Sequence, residues 1–308
     1  MGEHIPVLLH ETIDGLNIKK DGTYLDLTIG RGGHSSVILS KLTTGHLIGF
    51  DQDEDAIKES TANLSKVSKN FELIHSNFVR FKEILKSKNI EYVDGILMDL
   101  GVSSPQFDEA IRGFSYREDA PLDMRMDRSQ KLTAYDIVNT YSLEDITKIL
   151  REYGDERFAF PIAKNIIKQR ESSPIKTTFE LVEIIKRSKP MKELKKAGHP
   201  AKQVFQALRI AVNDELNVLT SALHDALEAL RPHGGRLAVI TFHSGEDKIV
   251  KSIFKDASVS EGNRYDGPND IQEKEYRLVN TKPIVASAEE LEMNHRSTSA
   301  KLRVIERK

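Results

Sequence analysis

The run Leu25-Asp26-Leu27-Thr28-Ile29-Gly30-Arg31-Gly32-Gly33-His34 constrains this chain more than any other segment. Apolar residues form a short buried strand, and closely spaced glycines then turn the backbone toward a helix. Glycine takes up φ > 0 freely and lets a ligand approach the main chain, so such a bend belongs at the mouth of an open α/β sheet. The rhythm around it agrees. Tyr24–Ile29 reads as a first strand, with a helix from about Ser35 to Lys41. His46–Phe50 is a second strand before a helix over Asp53–Leu64. Phe71–His75 is a third, followed by a helix over Phe78–Lys86, and Val93–Leu100 is a fourth. Strands separated by helices predict a doubly wound, mostly parallel, Rossmann-like α/β sheet.

The alternation then stops. The next convincing strand is Arg236–Thr241, preceded by helical periodicity through Val204, Leu208, Val212, Leu216, Leu219, Leu223, Leu227 and Leu230. A crossover needs far fewer residues than separate Leu100 from Arg236, so a segment is inserted there. Its character is helical: Ser142-Leu143-Glu144-Asp145 resembles a capped helix start, and Thr177-Thr178-Phe179-Glu180 is a capping box. The insertion is expected over 107–199, as a helical substrate-recognition domain, with 1–106 and 200–308 forming the sheet domain. Tyr276–Asn280 and Ala300–Ile305 return to that sheet, with an antiparallel partner expected at its edge.

Composition removes several chemistries. Cysteine is absent from the 308 residues, which excludes disulfides, thiolate metal sites and covalent thiolate attack on a pyrimidine ring. His4, His10, His34 and His243 show no metal-ligand spacing, so no metal is expected; His243 reads as closing its strand rather than facing a pocket. The net charge of −2 means that any nucleic-acid contact must rest on local patches. The amino-terminal residues lack the shape of a signal peptide, no stretch is long and uncharged enough to span a bilayer, and a cytoplasmic location is expected.

Asp51 ends the second strand roughly twenty residues beyond the glycine bend, where an acid can accept hydrogen bonds from ribose hydroxyls. Glycine bend and acid together serve nicotinamide enzymes and methyltransferases alike. A dinucleotide site calls for a third glycine where this chain has Ser35, so the pyrophosphate signature is incomplete and a ligand without phosphates is favoured. Ser76-Asn77-Phe78 follows the third strand, and Asp99 leads the loop after the fourth, so these loops converge on one sheet edge. Phe78 reads equally as a core aromatic, and Asp99 also as a loop cap.

The blocks Gly30-Arg31-Gly32-Gly33-His34, Asp99-Leu100-Gly101-Val102-Ser103-Ser104-Pro105-Gln106, Arg112-Gly113-Phe114-Ser115, Pro121-Leu122-Asp123-Met124-Arg125-Met126-Asp127 and Phe242-His243-Ser244 closely resemble one family. It is the bacterial small-subunit ribosomal RNA (cytosine-N4)-methyltransferase H family. The resemblance runs from His4-Ile5-Pro6-Val7-Leu8-Leu9 to Ala300-Lys301-Leu302-Arg303. It implies a class I methyltransferase with an inserted helical domain, S-adenosylmethionine as donor, and the exocyclic amine of a decoding-region cytidine in 16S ribosomal RNA as target. Small ribosomal subunits are the implied partner; a homodimer stays open. The implied cofactor contacts fall on Gly32, Gly33, His34, Asp51, Phe78, Asp99 and Gln106. Two departures are visible: Gly245 stands where a larger apolar residue is expected, and His295 where proline is expected.

An exocyclic amine attacks well only when its lone pair is drawn out of the ring, which a carboxylate or hydroxyl acceptor near its protons can do. Asp99 and Ser104 are therefore the candidate catalytic residues. Ser104-Pro105-Gln106-Phe107 is similar to the Ser/Asp/Asn-Pro-Pro-aromatic motif of other amino-methyltransferases, and reads equally as an ordinary Ser-Pro turn. Lys186, Arg187, Lys189, Lys192, Lys195, Lys196 and Lys202, with Glu193 the lone acid among them, form either a solvated face or a phosphate-tracking edge. Arg125 and Phe114 are candidates for the path of the target base.

Overall fold

The computed structural model describes residues 5–100, 110–259 and 274–308. By compactness the chain divides into two units, one of Met1–Gly101 with Leu216–Lys308, the other of Val102–Glu215.

The first unit is built on a seven-stranded sheet of order β3-β2-β1-β4-β5-β7-β6. Its strands are β1 (Thr23–Asp26), β2 (His46–Asp51), β3 (Phe71–His75), β4 (Gly95–Asp99), β5 (Arg236–Thr241), β6 (Tyr276–Leu278) and β7 (Lys301–Arg307). The first five are parallel to their neighbours; β7 runs antiparallel between β5 and β6. The antiparallel strand is thus inserted one place inside the edge, because β7 pairs along its length with β5 and leaves only three residues of β6 outside it. Successive side chains of a strand point to opposite faces. Leu25, Ile48, Phe50, Ile96, Met98 and Val239 accordingly pack with Leu219, Leu223 and Leu227 on one face. Tyr24, Leu47, Leu97, Ala238 and Ile240 pack with Leu16, Ile38 and Leu39 on the other. With β1 and β4 adjacent and the chain running outward from β1 through β2 to β3, the strand order reverses between β1 and β4. Ligands of open α/β sheets sit beyond the carboxyl ends of strands at such a reversal.

The second unit has its own core, drawn from the helices Ala134–Thr140, Leu143–Gly154, Ala159–Ser172, Thr178–Ser188 and Lys202–Asn213. Ser142 caps its helix by accepting from the Asp145 N–H, and Thr177 and Glu180 form a reciprocal capping box. The expected boundary at 106/107 lies outside the described residues, while the helix after the one expected at 199/200 packs with the second unit. The helix Lys202–Asn213 sends Val204, Leu208 and Val212 into the second unit's core beside Ile146 and Leu150. It approaches so closely that a Cβ on Gly154 would lie 2.5 Å from the Gln203 carbonyl. The long apolar periodicity is likewise two helices, Lys202–Asn213 and Glu215–Ala229, broken where Asp214 turns left-handed at φ 50°. Apolar spacing alone did not reveal the break, because the heptad-like pattern continues in phase across it.

Among the described residues, no helix is long and apolar enough to cross a membrane.

Candidate functional site

Gly30 and Gly32 both take positive φ, 50° and 77°, which lets the bend after β1 close tightly. Gly33 is glycine for space: a Cβ there would stand 2.5 Å from Pro6 Cγ. The following helix, Gly33–Lys41, begins with no side-chain cap, and its start is the positive end of the helix dipole.

Three carboxyl groups surround this bend. Asp51, at the end of β2, accepts from the Gly30 N–H at 3.0 Å with Oδ2 and from the Asp53 N–H at 2.9 Å with Oδ1. Burial outweighs these bonds and pushes its pKa up to about 6. Asp26, at the end of β1, is fully buried and receives Ser35 Oγ at 2.6 Å and the Thr28 N–H at 3.1 Å. Burial raises its pKa to about 6 as well. Ser35, where a dinucleotide site would have glycine, is therefore the hydroxyl that steadies Asp26. Thr28 Oγ1 accepts the Asp99 N–H at 2.7 Å and so ties the end of β4 to the end of β1.

Asp99 is the most perturbed of the three. Burial, with the nearby charges of Asp26 and Glu246, raises its pKa to about 8. Among the described residues its buried Oδ1 has no hydrogen-bond partner, while Oδ2 lies 3.6 Å from His34 Nδ1. The His34 Nε2 donates to the Val7 carbonyl at 2.9 Å. His34 thus links the amino-terminal segment to Asp99. Phe78 opens a short 3₁₀ turn capped by Asn77, half-buried, with one flank against the sheet core. The core-aromatic reading of Phe78 thus applies to its inner flank.

The structure brings Gly32, Gly33, His34, Asp51 and Asp99 to the carboxyl end of β1, β2 and β4. Ser104 and Gln106 lie outside the described residues. Sequence reasoning missed Asp26, Thr28 and Glu246. An acid within an apolar strand was a usable signal for Asp26, since a buried charge demands a reason; Glu246 gave none. Arg31 pairs with Glu59 at the surface. His243 caps the helix Ser244–Ser258 in a reciprocal box with Glu246, whose carboxylate accepts from the Phe242 N–H at 2.8 Å. Gly245 leaves a Cβ only 3.1 Å from His243 Nδ1, so this chain's departure from the larger residue fits its own cap.

Within the second unit, three proposed contacts are structural instead. Arg125 forks onto Asp123 at 2.8 Å and donates to the Arg128 and Gln130 carbonyls. Phe114 is buried beneath Arg112. Lys189 is buried in an ion pair with Glu156 at 2.6 Å and donates to the Pro200 carbonyl. None of these three is placed to guide a base or grip a phosphate, because each already satisfies its polar or apolar needs internally.

An open parallel sheet with an antiparallel seventh strand between β5 and β6, and a glycine bend ringed by strand-end acids at the reversal, defines a class I methyltransferase. The sequence matches the profile of the MraW methylase family across residues 1–308, and the chain belongs to that family. A relative from Mesoplasma florum, named ribosomal RNA small subunit methyltransferase H, is 55% identical over 312 residues, covering 100% of both chains. Relatives of the same name are 53% identical in Lactobacillus acidophilus, over 99% of each chain, and 52% identical in Exiguobacterium sibiricum, over 100% of this chain and 99% of the relative.

Proposed function

We propose that the protein transfers the methyl group of S-adenosylmethionine to the exocyclic N4 amine of a cytidine in the decoding region of 16S ribosomal RNA. It does so in the cytoplasm, on the small ribosomal subunit. Family membership and the full-length relatives support the reaction and the RNA. The observation that carries the reading on this chain is the buried Asp99 Oδ1 beside the glycine bend, which has no hydrogen-bond partner among the described residues. A carboxyl held in that state fits a cationic ligand, whose positive charge would compensate the desolvated anion.

Each residue around the bend has a defined part. The uncapped start of the helix Gly33–Lys41 suits a carboxylate. Asp51 uses one lone pair of each oxygen on the Gly30 and Asp53 N–H groups and keeps others for ribose hydroxyls. Phe78 offers its outer flank to an adenine. When bound, the donor supplies a methyl already activated on a sulfonium, so alignment is the main task left to the protein. Asp99 accepts from the target amine and stabilises the positive charge that develops there. Ser104 and Gln106 are assigned to the target amine and the donor through the family resemblance.

The test is to incubate small subunits lacking the modification with the protein and S-adenosylmethionine, then map the product nucleoside by mass. A cytidine methylated on its exocyclic nitrogen is expected. A ring-carbon product, or none, would overturn the proposal.

A further inference from the structure

Tyr116 and His199 stack face to face in the second unit, with ring centroids 4.2 Å apart and planes 11° from parallel. Behind them the buried Phe205 meets Tyr116 edge-on, at 5.7 Å and 89°. The three rings form a graded series, from the core outward. His199 is its outermost member, partly exposed, with one ring face covered by Tyr116.

The outer ring is held in place. His199 Nδ1 accepts the Ala201 N–H at 3.2 Å, and the buried Lys189 grips the Pro200 carbonyl at 2.7 Å, one residue further on. The backbone before it is open. Gly198 sits at φ 96° with nothing within 4 Å of a Cβ position, and Lys195, Lys196 and Ala197 are exposed. Cations gather here. Lys186 and Arg117 are near enough to act on the His199 ring and, with burial as the larger cause, lower its pKa. A neutral imidazole stacks without a charge to desolvate. Lys192 and Lys195 form no ion pair among the described residues.

A rigid aromatic face beside a cluster of cations is the arrangement that binds an unpaired base and its flanking phosphates. We propose that the Tyr116–His199 pair is a stacking platform for an unpaired base of the RNA substrate, with Arg117, Lys186, Lys192 and Lys195 tracking the adjacent backbone. This rests on the RNA reading above and extends it to residues outside the donor site. The basic run is then a phosphate edge organised around one ring, with Lys189 serving as its internal anchor.

His199→Asn tests the platform, because the amide oxygen can replace Nδ1 as acceptor for Ala201 while the ring is removed. With small subunits as substrate, KM is expected to rise about tenfold, with kcat at saturation and donor affinity unchanged; Tyr116→Phe behaves as the parent. A short single-stranded RNA spanning the target and scanned with 2-aminopurine should show one position quenched by the parent and not by His199→Asn. Paired Lys192→Glu and Lys195→Glu substitutions should lower the salt dependence of RNA binding by about two phosphate contacts. If His199→Asn fails to fold, 4-thiouridine crosslinking of the same RNA to the parent must still map to Tyr116 or His199. Unchanged KM and quenching, or crosslinks confined elsewhere, would overturn the platform. So would a defect seen on whole subunits and absent on free RNA, which would make the partner a ribosomal protein. If the parent binds donor and quenches the probe but methylates nothing, the platform stands and the proposed function falls.

Discussion

Replacing Asp51 by asparagine separates charge from shape at the donor site. A carboxyl group titrating at about 6 is about one-tenth ionised at pH 5 and about nine-tenths at pH 7. If the ionised form binds the ribose hydroxyls, donor affinity should improve about tenfold across that interval. Asparagine keeps one acceptor but places an amide donor against either the Gly30 or the Asp53 N–H. Leaving one such group unsatisfied costs about 1–3 kcal/mol with or without donor, so that part of the effect lowers stability, and affinity falls through the lost charge and acceptor. Titration calorimetry with S-adenosylmethionine at pH 5, 6 and 7, in two buffers of different ionisation enthalpy, measures both the constant and the proton released. The parent should release protons on binding near pH 6, and Asp51→Asn should bind more weakly with a flatter profile. Asp26 titrates in the same window and Asp99 just above it, so any slope that survives in Asp51→Asn belongs to those two groups. A parent affinity that is flat from pH 5 to 7, or a variant that binds equally well, would refute the argument.

Other perturbations test the rest of the structure. Asp99 has a folded pKa raised to about 8, so unliganded stability should fall as pH rises from about 4 through about 8. Asp99→Asn should therefore melt above the parent at pH 8, with the gap closing toward pH 4, while methyl transfer is lost; a lower melting temperature at pH 8 would contradict this. In Gly113→Ala the new Cβ would lie 2.2 Å from the Pro121 carbonyl at φ 70°, and urea denaturation should show a loss of at least about 2 kcal/mol. Lys189→Met leaves the Glu156 carboxylate buried without its cation, a loss of about 3–5 kcal/mol that the double change with Glu156→Gln should largely restore. Equal destabilisation by single and double variants would show that the pair itself stabilises.

The sheet was legible because its signals are local. Each of the first strands is a short apolar run with a helix behind it, and the glycine bend announces where the chain turns toward a ligand. The domain boundary was not legible, because the helix Lys202–Asn213 carries apolar residues on a face that could have served either unit. The packing of Val204, Leu208 and Val212 beside Ile146 and Leu150, and the close approach of Gln203 to Gly154, decide it. The same limit holds for charge. Lys189 and Lys195 are alike in sequence, yet one is sealed against Glu156 and the other exposed. Within the site, Asp51 was found by its spacing from the glycines. Asp26 and Glu246 were not, because their role is to sit near another acid, and such proximity comes from strand order rather than from spacing along the chain.

That proximity explains why the site is built from groups that oppose one another. Asp26, Asp51 and Asp99 each pay desolvation, and Glu246 and Asp26 further disfavour the charge on Asp99. A scaffold selected for stability alone would replace Asp99, whose Oδ1 has no partner among the described residues. The arrangement becomes favourable when a cation enters, because one positive charge then relieves both the unpaired oxygen and the repulsion between neighbouring acids. The same unpaired oxygen can discriminate between ligands. On the proposed reading, a positively charged sulfonium donor would gain from it and a product that has lost its methyl and its sulfur charge would gain less, so the electrostatics that weaken the unliganded fold would also favour exchange of spent product for fresh donor.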